Sequence, residues 1–122
     1  MTIAEALSAI DALKANTYTK AEKIAWLSRM DGMAKIEVFD THEGEEATFS
    51  GYDENTDTST ELLIPSPWGE VYLRWLEAQI DYTNGEYAKY NNSIAMFNTA
   101  YNGFSNYWNR THTPKGTTIQ FF

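Results

Sequence analysis

The chain has 122 residues and a formal net charge of −8, a length that suits one domain with its own hydrophobic core. An acid excess of that size opposes nonspecific attachment to nucleic-acid phosphates, which needs clustered lysine and arginine. The absence of cysteine removes disulfides, thiol nucleophiles and cysteine-held metals. No apolar run reaches the length of a membrane span, and Met1-Thr2-Ile3-Ala4-Glu5 lacks the basic and apolar regions of a secretory signal.

In chain order, Thr2 is placed to cap a first helix. Ile3, Ala6, Leu7, Ile10 and Leu13 follow at helical spacing, which predicts an amphipathic helix over 3–14. Thr19-Lys20-Ala21-Glu22 has the form of a capping box, in which hydroxyl and carboxylate satisfy each other's backbone N–H groups. A second helix is predicted over 20–39, with Ile24, Leu27, Met30 and Ala34 on one face and Gly32 as a weak point.

The charge is unevenly distributed. Residues 1–39 carry five acids and five bases, and residues 62–122 carry four of each. Residues 40–61 carry eight acids and no base, so the whole net charge lies in one segment. Its glycines and Thr/Ser cluster predict a loop. The acids Glu43, Glu45, Glu46, Asp53, Glu54 and Asp57 are then either a solvated linker or a charged surface with a task, such as facing DNA that it must not bind.

After Leu62-Leu63-Ile64, Ser66 followed by Pro67 suits a helix cap with proline in the first helical position. From there Leu73, Leu76, Ile80, Thr83, Tyr87, Tyr90, Ile94, Phe97, Tyr101, Phe104 and Trp108 are spaced three and four apart without slip. Such a seam keeps one helix face against a partner. A single helix over 67–109 would extend about 65 Å at ~1.5 Å per residue. The expectation is one long kinked helix or two stacked helices, with the break at Asn84-Gly85. Leu76, Ile80, Tyr87, Ile94, Phe97 and Phe104 are expected in the core. Trp68, Tyr72, Trp75 and Tyr82 lie beside or opposite the seam. They predict contact with another chain, unless they build an ordinary core with hydroxyls at its rim.

Thr111-His112-Thr113-Pro114-Lys115-Gly116 ends the helix, with Pro114-Lys115-Gly116 as a hinge, and residues 117–122 read as an extended tail. Ile119, Phe121 and Phe122 would let that tail dock on a neighbour. The fold expected is therefore all-α, with a helical unit over 1–116, an acidic loop at 40–61 and a tail at 117–122. Catalytic groupings are sparse. His42 and His112 lie in segments read as loops, where surface positions are expected. Asp53-x-Asn55-x-Asp57 begins like a calcium loop, but Thr58 and Ile64 stand where it needs glycine and glutamate. No catalytic, cofactor or metal site is expected, and the chain reads as an assembly component instead of an enzyme.

Several segments together resemble a group of phage proteins. They are Leu62-Leu63-Ile64-Pro65-Ser66-Pro67-Trp68, Tyr72-Leu73-Arg74-Trp75-Leu76-Glu77-Ala78-Gln79-Ile80-Asp81-Tyr82, Asn84-Gly85-Glu86-Tyr87-Ala88-Lys89-Tyr90-Asn91-Asn92, Phe97-Asn98 and Asn109-Arg110-Thr111. Asn16-Thr17-Tyr18, Lys23-Ile24-Ala25-Trp26-Leu27 and Phe49-Ser50-Gly51-Tyr52-Asp53 fit as well. The chain resembles small proteins encoded among the head genes of tailed phages and prophages of Gram-positive bacteria, and is similar in size and helical content to head–tail connector (adaptor) proteins. The resemblance implies a ring of copies, typically twelve, beneath the portal protein and above a stopper or tail-completion protein. It implies a C-terminal tail that reaches the portal, and DNA passing through the ring without sequence-specific binding. The place implied is the neck of the virion, after synthesis in the host cytoplasm. The alternatives are a small acidic regulator or nucleic-acid mimic, or another neck or tail-completion protein.

Overall fold

Two threonines set the first half of the molecule. In the computed structural model, which describes residues 1–44 and 48–116, helix α1 spans Ile3–Leu13 and α2 spans Lys20–Glu37. The Thr2 hydroxyl accepts the Glu5 N–H at 3.1 Å, and the Glu5 carboxylate accepts the Thr2 N–H at 2.8 Å. Thr19 and Glu22 repeat the arrangement at the start of α2. Both boxes satisfy donors that have no intrahelical partner.

The second helix ends two residues sooner than its spacing predicts. Val38 closes it and Phe39–Thr41 form a short 3₁₀ turn. The turn swings Phe39 edge-on against Trp108, with centroids 4.7 Å apart, and lets the Thr41 hydroxyl donate to the Val38 carbonyl at 2.8 Å. Burying that ring favours the tighter turn over two further residues of α-helix.

Helices α3 (Glu70–Thr83) and α4 (Tyr87–Thr111) replace the single helix or stacked pair with an antiparallel hairpin. The break falls at Asn84-Gly85 as expected. Gly85 takes φ +76°, a left-handed conformation that ends helices and that glycine adopts without steric cost. Trp68 lies against Phe104, Trp75 against Phe97 and Tyr82 against Tyr90, so the seam folds back on itself. Leu76, Ile80, Phe97 and Phe104 are buried. Ile94 is half-buried, and Tyr87, expected in the core, is 60% exposed because it lies just past the reversal, where it meets only the exposed ring of Tyr82.

The start of α3 also differs from its prediction. Trp68 N–H donates to the Pro65 carbonyl at 2.9 Å, so residues 66–69 form a turn and Ser66 caps nothing. Gly69 precedes the helix with φ −58° and ψ −22°, a helical conformation without a side-chain cap.

Tyr18 bonds Asn84 at one end of the bundle, Trp75 donates to Trp26 midway, and Phe39 meets Trp108 at the other end. Lys14, at the end of α1, joins Asp81 near the end of α3. The four helices thus run up, down, up and down around a core built from Ile3, Ile10, Ile24, Leu27, Met30, Tyr72, Leu76 and Phe104. The chain is all-α. Among the described residues, β-pairing is limited to the isolated bridges Thr2–Glu61 and His42–Pro114.

Candidate docking surface and acidic loop

The acidic loop is tied to the bundle at several points. Phe49 stacks edge-on with Tyr52 at 4.9 Å, and the Tyr52 N–H donates to the Ser28 hydroxyl on α2 at 3.0 Å. Further on, Ile3 N–H donates to the Thr60 carbonyl at 3.0 Å and Ala4 N–H to the Thr58 carbonyl at 2.9 Å. Those are free amides at the start of α1, so the loop completes that helix terminus. Leu62 and Ile64 then enter the core.

At the centre of these ties is Asp31, a carboxylate with no exposed surface. Its Oδ2 accepts from the Tyr52 hydroxyl at 2.5 Å and from the Leu63 N–H at 3.0 Å. Its Oδ1 accepts from the Tyr72 hydroxyl at 2.5 Å, and the Tyr72 hydroxyl oxygen in turn accepts the Ile64 N–H at 2.7 Å. Desolvation raises the Asp31 carboxyl above its ordinary range, against the opposing pull of the hydrogen bonds from Tyr52, Tyr72 and Leu63. Burial and the neighbouring carboxylate push both tyrosine hydroxyls well above theirs. One buried acid therefore connects α2, α3 and both arms of the loop.

The acids proposed from the sequence as a charged surface are distributed as follows. Glu43, Asp53, Glu54 and Asp57 are exposed, while Glu45 and Glu46 lie outside the described residues. Asp53 Oδ1 accepts the Asn55 N–H at 2.8 Å. Asp57 Oδ1 accepts both the N–H and the hydroxyl of Ser59, at 2.9 and 2.8 Å, which holds its carboxyl below the ordinary range. These turns use short polar side chains to replace missing backbone partners. From Tyr52 to Thr60 the loop is hydrogen-bonded within itself and to the bundle. Among the described residues no group of acids and histidines is arranged to hold a metal ion.

The aromatic positions separate into two kinds. Tyr72 is fully buried with its hydroxyl on Asp31, which removes it from any surface. Trp68 and Trp75 are mostly buried. Trp75 donates its indole N–H to the Trp26 carbonyl at 2.7 Å, and Trp68 rests on Tyr107 at 5.4 Å. Of the four, Tyr82 stands exposed, at 56%, beside Tyr87 and Tyr90 at the turn of the hairpin. Ile119, Phe121 and Phe122 lie outside the described residues.

The segment read as a hinge before them is fastened: Glu43 N–H donates to the Thr113 carbonyl at 2.7 Å and Lys115 N–H to the Thr41 carbonyl at 2.8 Å. His42, expected at the surface, is buried between the Val38 carbonyl, 2.7 Å from Nδ1, and the Asn109 side chain, 2.8 Å from Nε2. His112 stacks flat on Trp108 at 3.7 Å. Both histidines are engaged in closing the base of the bundle.

Two buried acids escaped the sequence reading. Asp31 stands at the inward position of the spacing Ile24, Leu27, Asp31, Ala34, Val38, so the helical phase carried the signal. Asp81 sits beside Ile80, with the Lys14 ammonium 2.6 Å from Oδ1 and the Ser93 hydroxyl donating to Oδ2. No helix among the described residues is long and apolar enough to cross a membrane. No protein family, curated protein or solved structure matches the chain.

Proposed function

We propose that this chain is a non-enzymatic structural component of a tailed-phage particle, a head–tail connector whose copies form a ring between portal and tail around the passing DNA. The observation that carries this reading is the fixed presentation of exposed carboxylates. Asp53, Glu54 and Asp57 stand on turns that are hydrogen-bonded within themselves and tied to α1 and α2. A wall of fixed negative charge repels the DNA backbone at short range and lets it slide. The sequence resemblance supports the same assignment. In a ring, the residues after Gly116 would leave each copy from a segment fastened to Thr41 and Glu43.

The test is the composition of purified particles, followed by imaging of the neck. The chain should be present in a fixed number of copies beneath the portal. Replacing Asp53, Glu54 and Asp57 by their amides should leave helicity intact and impair DNA retention or ejection. The same fixed carboxylates also favour a second reading, an acidic mimic that occupies a basic nucleic-acid groove. That reading predicts absence from particles and a stable complex with a basic host protein, weakened by salt and by those amide substitutions.

A further inference from the structure

Helix α4 carries no charged residue from Tyr90 to Asn109. That run covers about 30 Å at ~1.5 Å per residue, and much of it faces outward. Asn91, Asn92, Asn98, Asn102 and Asn106 are exposed along it. Asparagine is a poor helix former, and solvated helix faces ordinarily carry lysine and glutamate. Between α4 and α3 the same side opens into a groove of about 280 Å³ lined by Glu70, Arg74, Ala95, Met96, Thr99 and Ala100. Met96 is 46% exposed there. Depletion of Lys, Glu and Asp along α4, together with the exposed Met96 and the partly exposed Arg74 at the groove, is the composition of an interface.

The chemistry of the face selects its occupant. A chain of net charge −8 repels its own copies over most of its surface, and least over this uncharged stretch. Each carboxamide both donates and accepts, so a row of asparagines is complementary to an identical row. The two charges at the groove are complementary in the same way. Trp68 lies against Phe104 and Trp75 against Phe97, which sets Thr99 level with Leu73, between Glu70 and Arg74. A two-fold axis at Thr99 would bring Glu70 of each copy towards Arg74 of the other. Within one copy Arg74 holds its acids loosely, at 3.5 Å from Glu70 and 3.4 Å from Glu77. We propose that the outer face of α4 and its groove are covered by the same face of a second copy, in a two-fold dimer centred near Thr99. This goes beyond the connector reading and does not depend on it, because a ring closes through head-to-tail contacts whereas this contact is face to face.

Thr99 is exposed, and its hydroxyl donates only to the Ala95 carbonyl of its own helix at 3.1 Å. Thr99→Glu and Thr99→Lys therefore place a charge at the centre of the contact without burying one in the fold. Light scattering coupled to gel filtration should give the untouched chain twice its 13.9 kDa mass. Each variant alone should run at the single-chain mass with unchanged helicity, since like charges meet across the axis. Mixing the two variants should restore the doubled mass, which a variant that had merely lost its fold would not do. The proposal is overturned by an untouched chain that stays single at high micromolar concentration. It is equally overturned by variants that still pair alone, by a mixture that stays single, or by a larger assembly indifferent to both substitutions. Particle composition tests the connector assignment separately, so either idea can fail without the other.

Discussion

The α1–α2 half and the α3–α4 half of the bundle begin their helices by different means. In the first half, two threonine–glutamate boxes mark the helix starts, and the observed starts at Ile3 and Lys20 follow them. In the second half neither Gly69 nor Glu86 provides a side-chain cap. There the start of α3 is set by tertiary contact, Trp68 on Phe104 and Tyr107, while the reversal is marked locally by the left-handed Gly85. The difference teaches that local chemistry fixes the helix starts of the first half and packing that of α3, and this can be tested by removing each in turn.

The largest effect is expected in the packing-defined half. Phe104 has no exposed surface and touches the rings of Phe39, Trp68, Tyr101 and Trp108. Phe104→Ala should cost about 3–5 kcal/mol in urea unfolding, by lost transfer energy and a residual cavity. Next comes Tyr72→Phe, which removes a donor from Asp31 and an acceptor from the Ile64 N–H. A loss of about 2–3 kcal/mol is expected, since a buried amide is left unpaired. The same substitution should leave the caps of α1 and α2 in place, with their amides still protected from exchange.

The buried acid gives a pH test. Asp31 is raised in the folded protein, so the fold binds its proton more tightly than the unfolded chain does. Its contribution to stability is greatest below the ordinary aspartate range, near pH 3.8, and falls as pH rises from there to the folded value. The lowered carboxyls of Glu5, Asp11, Asp57 and Glu86 act in the opposite sense. The stability of the untouched chain relative to Asp31→Asn should therefore decline with rising pH across that window. A difference that rises instead would mean the hydrogen bonds from Tyr52, Tyr72 and Leu63 outweigh desolvation.

Smaller effects complete the comparison. Thr19→Ala removes the acceptor for the Glu22 amide and should cost about 1 kcal/mol. Gly69→Ser should change stability by less than about 0.5 kcal/mol, because the helical dihedrals at 69 do not aim a side chain at the free amides of α3 as a cap residue would. A clear gain from that serine would show that α3 lacked only a cap.

The all-α class, the two capped starts and the Gly85 break were legible because each rests on short-range rules. The hairpin was not. A seam without slip fits equally a long helix facing a partner and two helices facing one another, and only the reversal at Gly85 decides between them. Tyr87 shows the limit: it follows the seam spacing, but α3 ends four residues before it and meets it only with the exposed ring of Tyr82. Among the interface positions, Tyr72 was misplaced because it lies off the seam and read as surplus aromatic surface, whereas an acid from α2 meets its hydroxyl in the core. Asp31 itself was hidden by its charge, although its helical phase pointed inward.

The start of α1 has a consequence for how the chain is made. The amides of Ile3 and Ala4 find their carbonyls at Thr60 and Thr58, more than fifty residues downstream. On a ribosome, which releases the chain from its N-terminal end, α1 emerges before the loop and cannot complete its own beginning until that loop follows. Early folding then rests on Thr2 and Glu5 alone, a single turn of capping that must hold while the rest is synthesised. Contacts of such sequence separation slow folding in a helical bundle that would otherwise be fast. The acidic loop is thus also a clock, since its arrival decides when the first helix is finished.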